Sequence, residues 1–164
     1  MNAMEALVAA RDLLENVTPL ATDCGLLCSA ACCKDSQDED EVAGMLLFPG
    51  EEALYAHCAF ARVLPAGFSL GGQGVSLLVC QGRCERENRP LACRLFPLFL
   101  RFREDGSTRV VMDRRARALC PLTGYGLSAL DSAFLDAART AYDLLLADPF
   151  CAAYLRDLDQ AFRL

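Results

Sequence analysis

The sequence lacks the features that direct a chain to export or to a membrane. The N-terminus has no basic leader before an apolar run, and Glu5, Arg11 and Glu15 fall where a secretory signal would be apolar. The longest charge-free stretch, residues 63–82, contains one proline and five glycines, so it does not predict a spanning helix. We therefore expect a cytoplasmic protein with no membrane contact.

Lysine is nearly absent, because arginine supplies 15 of the 16 basic residues, and the net charge is −6. This balance excludes a polycation that coats nucleic acid, and we expect nucleic acid to be an unlikely partner. The positive charge is concentrated in residues 80–120, which hold ten arginines and five acids. These arginines either pair with acids across exposed strand faces or neutralise a negatively charged metal–thiolate site.

Tryptophan is absent and histidine occurs once, but there are ten cysteines. The 164 residues are 54% hydrophobic, which is enough for one folded core and excludes a disordered chain. Because a reducing compartment disfavours structural disulfides, clustered cysteines there are expected to be metal ligands or redox groups.

Hydrophobic periodicity predicts more helix than strand. Apolar spacing predicts an amphipathic helix over residues 3–20, and Pro49, Glu51 and Glu52 open a second helix that runs through Ala61. Short strand and turn signals follow at residues 71–79, and a hairpin is expected at 98–113 around Gly106–Ser107.

Two helices are predicted in the C-terminal part, at about 126–164. The first follows a capping-box-like Ser128 and Asp131, and the second follows the Asp148–Pro149 pair. We expect an α+β fold, a mainly helical single domain over residues 1–164 with a small β-hairpin or sheet. A cysteine-lined metal centre is expected in the motif region, at about 20–120.

Eight cysteines form two clusters. The first contains Cys24, Cys28, Cys32 and Cys33, and the second contains Cys80, Cys84 and Cys93, with Cys120 further on. Thiolates bind zinc and iron–sulfur clusters because they are soft, charged donors. The eight could form two four-ligand sites, one binuclear cluster, or one site with spare thiols.

The Cys32–Cys33 pair restricts how the first cluster can be arranged. If residues 24–33 are helical, Cys24, Cys28 and Cys32 share one face, and Cys33 points about 100° away. Either the helix breaks there, or the adjacent cysteines face different metal positions.

Charge does not select the metal. Four thiolates leave −2 around either Zn²⁺ or a [4Fe–4S]²⁺ core, and Arg83, Arg86 and Arg94 could offset either one. Zinc is favoured for a purely structural site, whereas an iron–sulfur cluster remains open for a site that carries electrons.

Two cysteines stand apart from the clusters. Cys58 and Cys151 lie in predicted helices among small and aromatic residues, which favours buried apolar thiols. His57 precedes Cys58 directly, and neighbours on a helix do not face each other, so a Cys–His nucleophile is not indicated. As the single histidine it is a possible fourth ligand, although a solvent-facing or capping side chain is favoured.

The two clusters in this order resemble the CxxCxxCC (YkgJ-type) family of zinc- or iron-chelating domains. The resemblance covers residues 20–120 and rests mainly on CQGRCERENRPLACRLFP at residues 80–97. The family pattern has two residues between the early cysteines, whereas both gaps here hold three. The resemblance implies the following metal ligands: Cys24, Cys28, Cys32, Cys33, Cys80, Cys84, Cys93 and, more weakly, Cys120.

The resemblance also covers positions other than cysteine. Arg89 and Arg94 match the motif, as do Pro90 and Pro97, which would shape the turns around Cys93. Arg94 could hydrogen-bond a metal-bound sulfur or an acid of the first half. The family is similar to the cysteine-bearing part of flagellin lysine N-methylases, which implies a link to protein methylation.

Three functions follow as alternatives. The first is a metal-binding protein that holds zinc ions or an iron–sulfur cluster in a structural or metal-handling role, with a protein partner or substrate unidentified. The second is an iron–sulfur enzyme or enzyme component in electron transfer or protein lysine N-methylation. The third, nucleic-acid binding through residues 80–120, is disfavoured by the net charge and the scarcity of lysine.

Overall fold

The computed structural model describes residues 1–28, 30–33, 44–80 and 85–163, apart from the side chains of Cys28 and Cys33. The described chain is mixed, 47% helical and 21% strand, as expected for an α+β fold. Its α-helices are α1 (Ala3–Leu13), α2 (Gly25–Cys28), α3 (Leu91–Leu95), α4 (Ser132–Leu146) and α5 (Pro149–Ala161).

Side-chain caps explain where the longer helices begin. Asn2 caps α1 and forms a capping box with Glu5, so two end groups of the backbone are satisfied reciprocally. Asp131 caps α4, and Asp148 caps α5 just before Pro149, whose ring fits the first helical position. Helix α5 therefore begins at the Asp148–Pro149 pair that the sequence predicts, whereas α4 is capped by Asp131 itself and not by Ser128, which lies in a separate 3₁₀ helix at Leu127–Ala129.

Short 3₁₀ helices connect many of the other elements. They lie at Ala31–Cys33, Glu51–Tyr55, Arg86–Asn88, Arg114–Ala118, Pro121–Gly124 and Leu127–Ala129.

Five described strands form two antiparallel sheets. Strands β1 (Met45–Leu46), β3 (Gln73–Cys80) and β2 (Ala61–Leu70) form a three-stranded sheet in that spatial order. Strands β4 (Leu98–Phe102) and β5 (Thr108–Met112) form the predicted hairpin, in which Leu98 lies opposite Met112.

Side chains of α4, of α5 and of the residues just after α5 bind the outer edge of β4. Tyr142 donates its hydroxyl hydrogen bond to the Leu98 carbonyl at 3.3 Å. Asp159 accepts from the Phe102 N–H at 3.1 Å, and Arg163 donates to the Phe102 carbonyl at 2.8 Å. The hairpin is thereby fixed against α4 and α5.

The main core lies between α1, α4, α5 and the hairpin. Its most deeply buried members include Leu7, Phe134 and Leu145, none of which is exposed. A second, smaller core is formed by Leu47, Tyr55, Ala61 and Leu78 beside the three-stranded sheet. None of the described helices has the length and apolar character needed to cross a bilayer.

Three expectations about the elements are wrong. The first helix ends at Leu13 rather than near Pro19. The helix expected through Ala61 is only one 3₁₀ segment, because Ala61 begins β2 by pairing with Cys80. Cys58 therefore lies outside any helix, in the link between that segment and β2.

The first cysteine cluster is not one regular helix. The described chain leaves α2 at Cys28 and resumes as a 3₁₀ helix at Ala31, with Ala30 in the left-handed region at φ 53°. The single helical face proposed for Cys24, Cys28 and Cys32 therefore does not form. Of the two alternatives, the break in the helix is the one observed, and it falls before the adjacent cysteines.

Candidate metal centre

Cys93 lies on the short helix α3, whose start is fixed by a buried carboxylate. Pro90 precedes the helix with an extended backbone, and the next residue, Leu91, donates its N–H to Glu51 Oε1 at 2.7 Å. Glu51 is completely buried and also accepts from the Phe48 N–H at 3.1 Å. The Glu51 carboxylate therefore links the turn that follows β1 to the start of α3, the helix that carries Cys93.

Arg11 on α1 completes this buried group. Its Nη1 donates to Glu51 Oε1 at 3.0 Å and to the Tyr55 hydroxyl at 2.9 Å, and its Nη2 donates to the Glu87 carbonyl at 3.2 Å. Burial raises the pKa of Glu51, although its backbone hydrogen bonds and Arg11 act in the opposite direction. The arrangement ties α1, the 3₁₀ helix at Glu51–Tyr55 and the second cysteine segment together.

Cys93 is one of the groups that influence the pKa of Tyr55. Its hydroxyl donates to the Asn88 carbonyl at 3.0 Å. Burial raises the pKa of Tyr55 to about 12, and negative charge on Glu51 and Cys93 contributes in the same direction. The Cys93 sulfur is therefore within electrostatic reach of the Glu51–Arg11–Tyr55 group.

Arg94, next to Cys93, binds the loop that carries the second cluster. Its side chain is 4% exposed, and its Nε donates to the Arg89 carbonyl at 2.9 Å. Its Nη2 donates to the carbonyls of Arg86 and Glu87, at 3.2 and 2.8 Å. One planar guanidinium thus holds the turn at 86–89 in a fixed shape.

The same guanidinium reaches back to the N-terminal helix. Arg94 Nη1 donates to the Arg11 carbonyl at 3.2 Å and forms an ion pair with Glu15. This hydrogen bond holds the pKa of Glu15 below its usual range. The ion pair with Glu15 is one of the two roles proposed for Arg94, the bond to an acid of the first half, and the bond to a sulfur stays a prediction.

Arg86 brings the two cysteine segments towards each other. It donates to the backbone carbonyls of Leu14, Glu15 and Val17, which lead from α1 towards Cys24. Burial lowers the pKa of Arg86, as do nearby Arg89 and Arg94, whereas Glu15 and Cys24 act to raise it. Arg86 thus binds the backbone that leads towards Cys24, and a negative charge on Cys24 would stabilise this cationic group.

Arg89 adds an unsatisfied donor to the same region. Its Nε atom is buried and has no hydrogen-bond partner among the described residues. A buried donor of this kind favours an anionic neighbour. Together with Arg86, it fits a centre built from negatively charged thiolates, which are the soft donors that zinc and iron–sulfur clusters require.

The eight predicted ligands have different places in the fold. Cys24 and Cys120 are partly buried against the main core, and Cys80 is partly buried against the second core at the end of β3. Cys32 is exposed. The side chains of Cys28 and Cys33, and all of Cys84, lie outside the described residues, as does Arg83.

The described residues alone do not assemble a metal site. No group of three or more histidine, cysteine, aspartate or glutamate side chains among them is placed to hold an ion. No disulfide joins any two of the seven cysteines whose side chains are described. Only five of the eight predicted sulfur atoms belong to described side chains, so the full ligand set stays a prediction.

The two cysteines outside the clusters, Cys58 and Cys151, are buried to different degrees. Cys151 is fully buried on α5, as expected, and burial raises its thiol pKa to about 12. Cys58 packs against the second core and is only partly buried. His57, beside it, is exposed.

Sequence reasoning missed the buried Glu51–Arg11–Tyr55 group. Glu51 resembles an ordinary acid in the first turn of a helix, in the same way as its exposed neighbour Glu52. One local signal for the burial of Glu51 was present in the sequence. Glu51 directly follows the apolar run MLLFPG, so of the two acids it is the one nearer to buried residues. Its partners lie 40 residues away on both sides, beyond the reach of local patterns.

Comparison of the chain with protein-family models, with curated proteins and with solved structures finds no match in any of the three.

Proposed function

We propose that this protein binds metal through its clustered cysteines, holding zinc ions or an iron–sulfur cluster in a structural or metal-handling role. The observation that carries the proposal is the position of Arg86. Its guanidinium binds the backbone at residues 14–17, which leads towards Cys24, and it belongs to the segment between Cys84 and Cys93. The cysteine motifs, far apart in sequence, therefore approach a common cationic region.

The charges in this region support the same proposal. Four thiolates with a divalent ion leave a net charge of −2, which is unfavourable in a partly buried site unless cations lie nearby. Arg86 and Arg89 are two such cations, and the Nε of Arg89 is buried with no partner among the described residues. The resemblance to zinc- or iron-chelating domains points in the same direction.

Metal content is the first test. The protein is purified anaerobically from its own host, and metals are measured by mass spectrometry together with a visible absorption spectrum. One or two equivalents of zinc without colour support the proposed structural or metal-handling role. Iron with acid-labile sulfide would favour the alternative, an iron–sulfur component in electron transfer or protein lysine N-methylation.

Cysteine variants connect the metal to particular residues. We expect Cys24→Ser and Cys93→Ser each to lower the bound metal by at least about half, because a thiolate ligand is lost. Cys58→Ser is the matched control, since Cys58 is also partly buried but lies outside both clusters. Equal metal content in all three variants and the parent would contradict the proposal.

Chelation tests the structural role itself. A structural zinc site contributes on the order of 10 kcal/mol to folding, so removal of the metal should unfold the protein or greatly lower its thermal midpoint. An unchanged midpoint after complete removal, checked by mass spectrometry, would leave metal handling as the remaining role.

A further inference from the structure

An open groove beside the β4–β5 hairpin is lined mainly by arginines and has no part in the cysteine centre. Arg101, Arg103, Arg109 and Arg163 line it together with Phe102, in a volume of about 470 Å³. This volume is within the range of small-molecule sites, about 300 to 1,000 Å³. Four guanidinium groups lie close together here although the chain has a net charge of −6, and their mutual repulsion must be offset by nearby negative charge.

The hairpin register places two of these arginines directly opposite each other. Arg101 on β4 pairs with Arg109 on β5, so both side chains project to the same face. Like charges directly opposite across two strands destabilise a sheet. The pair is tolerated when an anion lies between or beside the two guanidinium groups.

The protein supplies one buried carboxylate to this face. Asp159 on α5 lies 2.8 Å from Arg101 Nε, and its other oxygen accepts from Arg163 Nη2 at 2.9 Å. One carboxylate is therefore shared by two guanidinium groups. Arg103 and Arg109 form no ion pair with any described residue, and both are exposed.

Two exposed acids also line the groove and reduce its charge. The carboxylate of Asp105 accepts from the N–H and hydroxyl of Ser107, at 2.9 and 2.6 Å, and those hydrogen bonds lower its pKa. Glu104 lies at the same hairpin end. Arg156 extends the positive surface, with its guanidinium 5.6 Å from the Phe102 ring centre. Five arginines against Asp159, Asp105 and Glu104 leave an excess of two positive charges.

We propose that this groove binds a small oxyanion of charge −2 or more, a phosphate or pyrophosphate group, through Arg109 and Arg103. Guanidinium groups bind such oxyanions with paired, charge-assisted hydrogen bonds. Several converging guanidinium groups match a multiply charged anion better than a single carboxylate. The acidic remainder of the chain repels a long polyanion, so a compact free ligand is favoured over nucleic acid.

The test titrates the whole protein with inorganic phosphate and with pyrophosphate at low ionic strength, using calorimetry and backbone NMR shifts. Saturable binding with shifts at residues 101–109 is expected. Arg109→Gln and Arg103→Gln should each weaken binding about tenfold, because each removes a charged donor from the groove. Arg62→Gln is the matched control, since Arg62 is an exposed arginine on a strand of the other sheet.

Several outcomes would overturn the proposal. Unchanged affinity in both groove variants, or an equal loss in the Arg62 variant, would show nonspecific charge attraction. Absence of binding to phosphate and pyrophosphate, with binding to a single-stranded oligonucleotide instead, would assign the groove to nucleic acid. The thermal midpoint of each variant is measured first, and we expect it not to fall, because these side chains are exposed and Arg109→Gln also removes the like-charge pair with Arg101.

Discussion

Replacing Arg94 by lysine removes hydrogen bonds but keeps the positive charge. The guanidinium donates to the carbonyls of Arg89, Arg11, Arg86 and Glu87 and pairs with Glu15, and its side chain is 4% exposed. A lysine ammonium has three donors on one atom and cannot serve groups that lie on both edges of a planar fork.

The expected loss of unfolding free energy follows from the number of hydrogen bonds that a lysine cannot replace. Lysine can keep the ion pair and one or two carbonyl contacts, so at least two hydrogen bonds from a charged donor are lost. Such bonds contribute about 1.5–3 kcal/mol each and are not additive, so we expect Arg94→Lys to lose about 2–4 kcal/mol of unfolding free energy. With a urea slope near 2 kcal/mol per molar, the unfolding midpoint should fall by about 1–2 M.

The assay is urea unfolding followed by circular dichroism, with metal content matched between samples. Arg139→Lys is the control, because Arg139 pairs with Asp136 on the surface of α4 and both side chains are more than half exposed. That change should shift stability by less than about 0.5 kcal/mol. A loss below about 1 kcal/mol in Arg94→Lys would refute the argument that this guanidinium fixes the 86–89 turn.

Three further changes test other contacts. The pKa of Glu15 is lower in the folded protein than its ordinary value of 4.5, so the charged carboxylate stabilises the fold above pH 4.5 and this stability is lost as the pH falls through the lowered pKa. Glu15→Gln should therefore make the unfolding free energy depend less on pH in the acid range, which unfolding measured across an acid pH series would show. Gly71→Ala should lower the thermal midpoint well below that of Gly72→Ala, because both have positive φ but only at Gly71 would a Cβ lie 2.7 Å from the Tyr154 backbone nitrogen. Tyr142→Phe should lose about 1–2 kcal/mol in urea unfolding, since it leaves a buried strand carbonyl without its hydroxyl donor; an unchanged midpoint would contradict that bond.

The helix starts and the hairpin could be predicted because their signals are local. Asp131 and Asp148 cap the helices that follow them, and alternating residues around Gly106 predict a two-stranded hairpin. In each case a side chain acts on backbone within a few residues. Such interactions are visible in a linear sequence.

The elements that were missed depend on distant partners. Strand β2 contains Pro65 and Gly67, which disfavour a strand, and its pairing with β3 shifts register between Pro65 and Ser69. Helix α1 stops although Leu14 continues its apolar spacing, and Arg86, at least 69 residues away in sequence, binds the carbonyls that follow the helix. No pattern within one segment contains that information.

For the candidate site, the sequence predicts which residue types take part and their order along the chain, but not how they are arranged in space. The clustered cysteines indicate metal chemistry, but the sequence does not say that Arg86 and Arg94 organise the backbone between them. The expected pairing of arginines with acids is found for Arg101 and for Arg115, with Asp159 and Asp113. A negative charge on Cys24 acts to raise the pKa of Arg86, but the neutralisation of a metal–thiolate site by arginines stays a prediction.

The side chains along the outer edge of β4 also bear on self-association. An uncovered strand edge presents N–H and C=O groups to which a second copy of the chain can add a strand, and this is a route to aggregation. Here Asp159 and Arg163 occupy the groups of Phe102, and Tyr142 occupies the carbonyl of Leu98. These side chains therefore also hinder a second molecule from adding a strand at this edge of the hairpin.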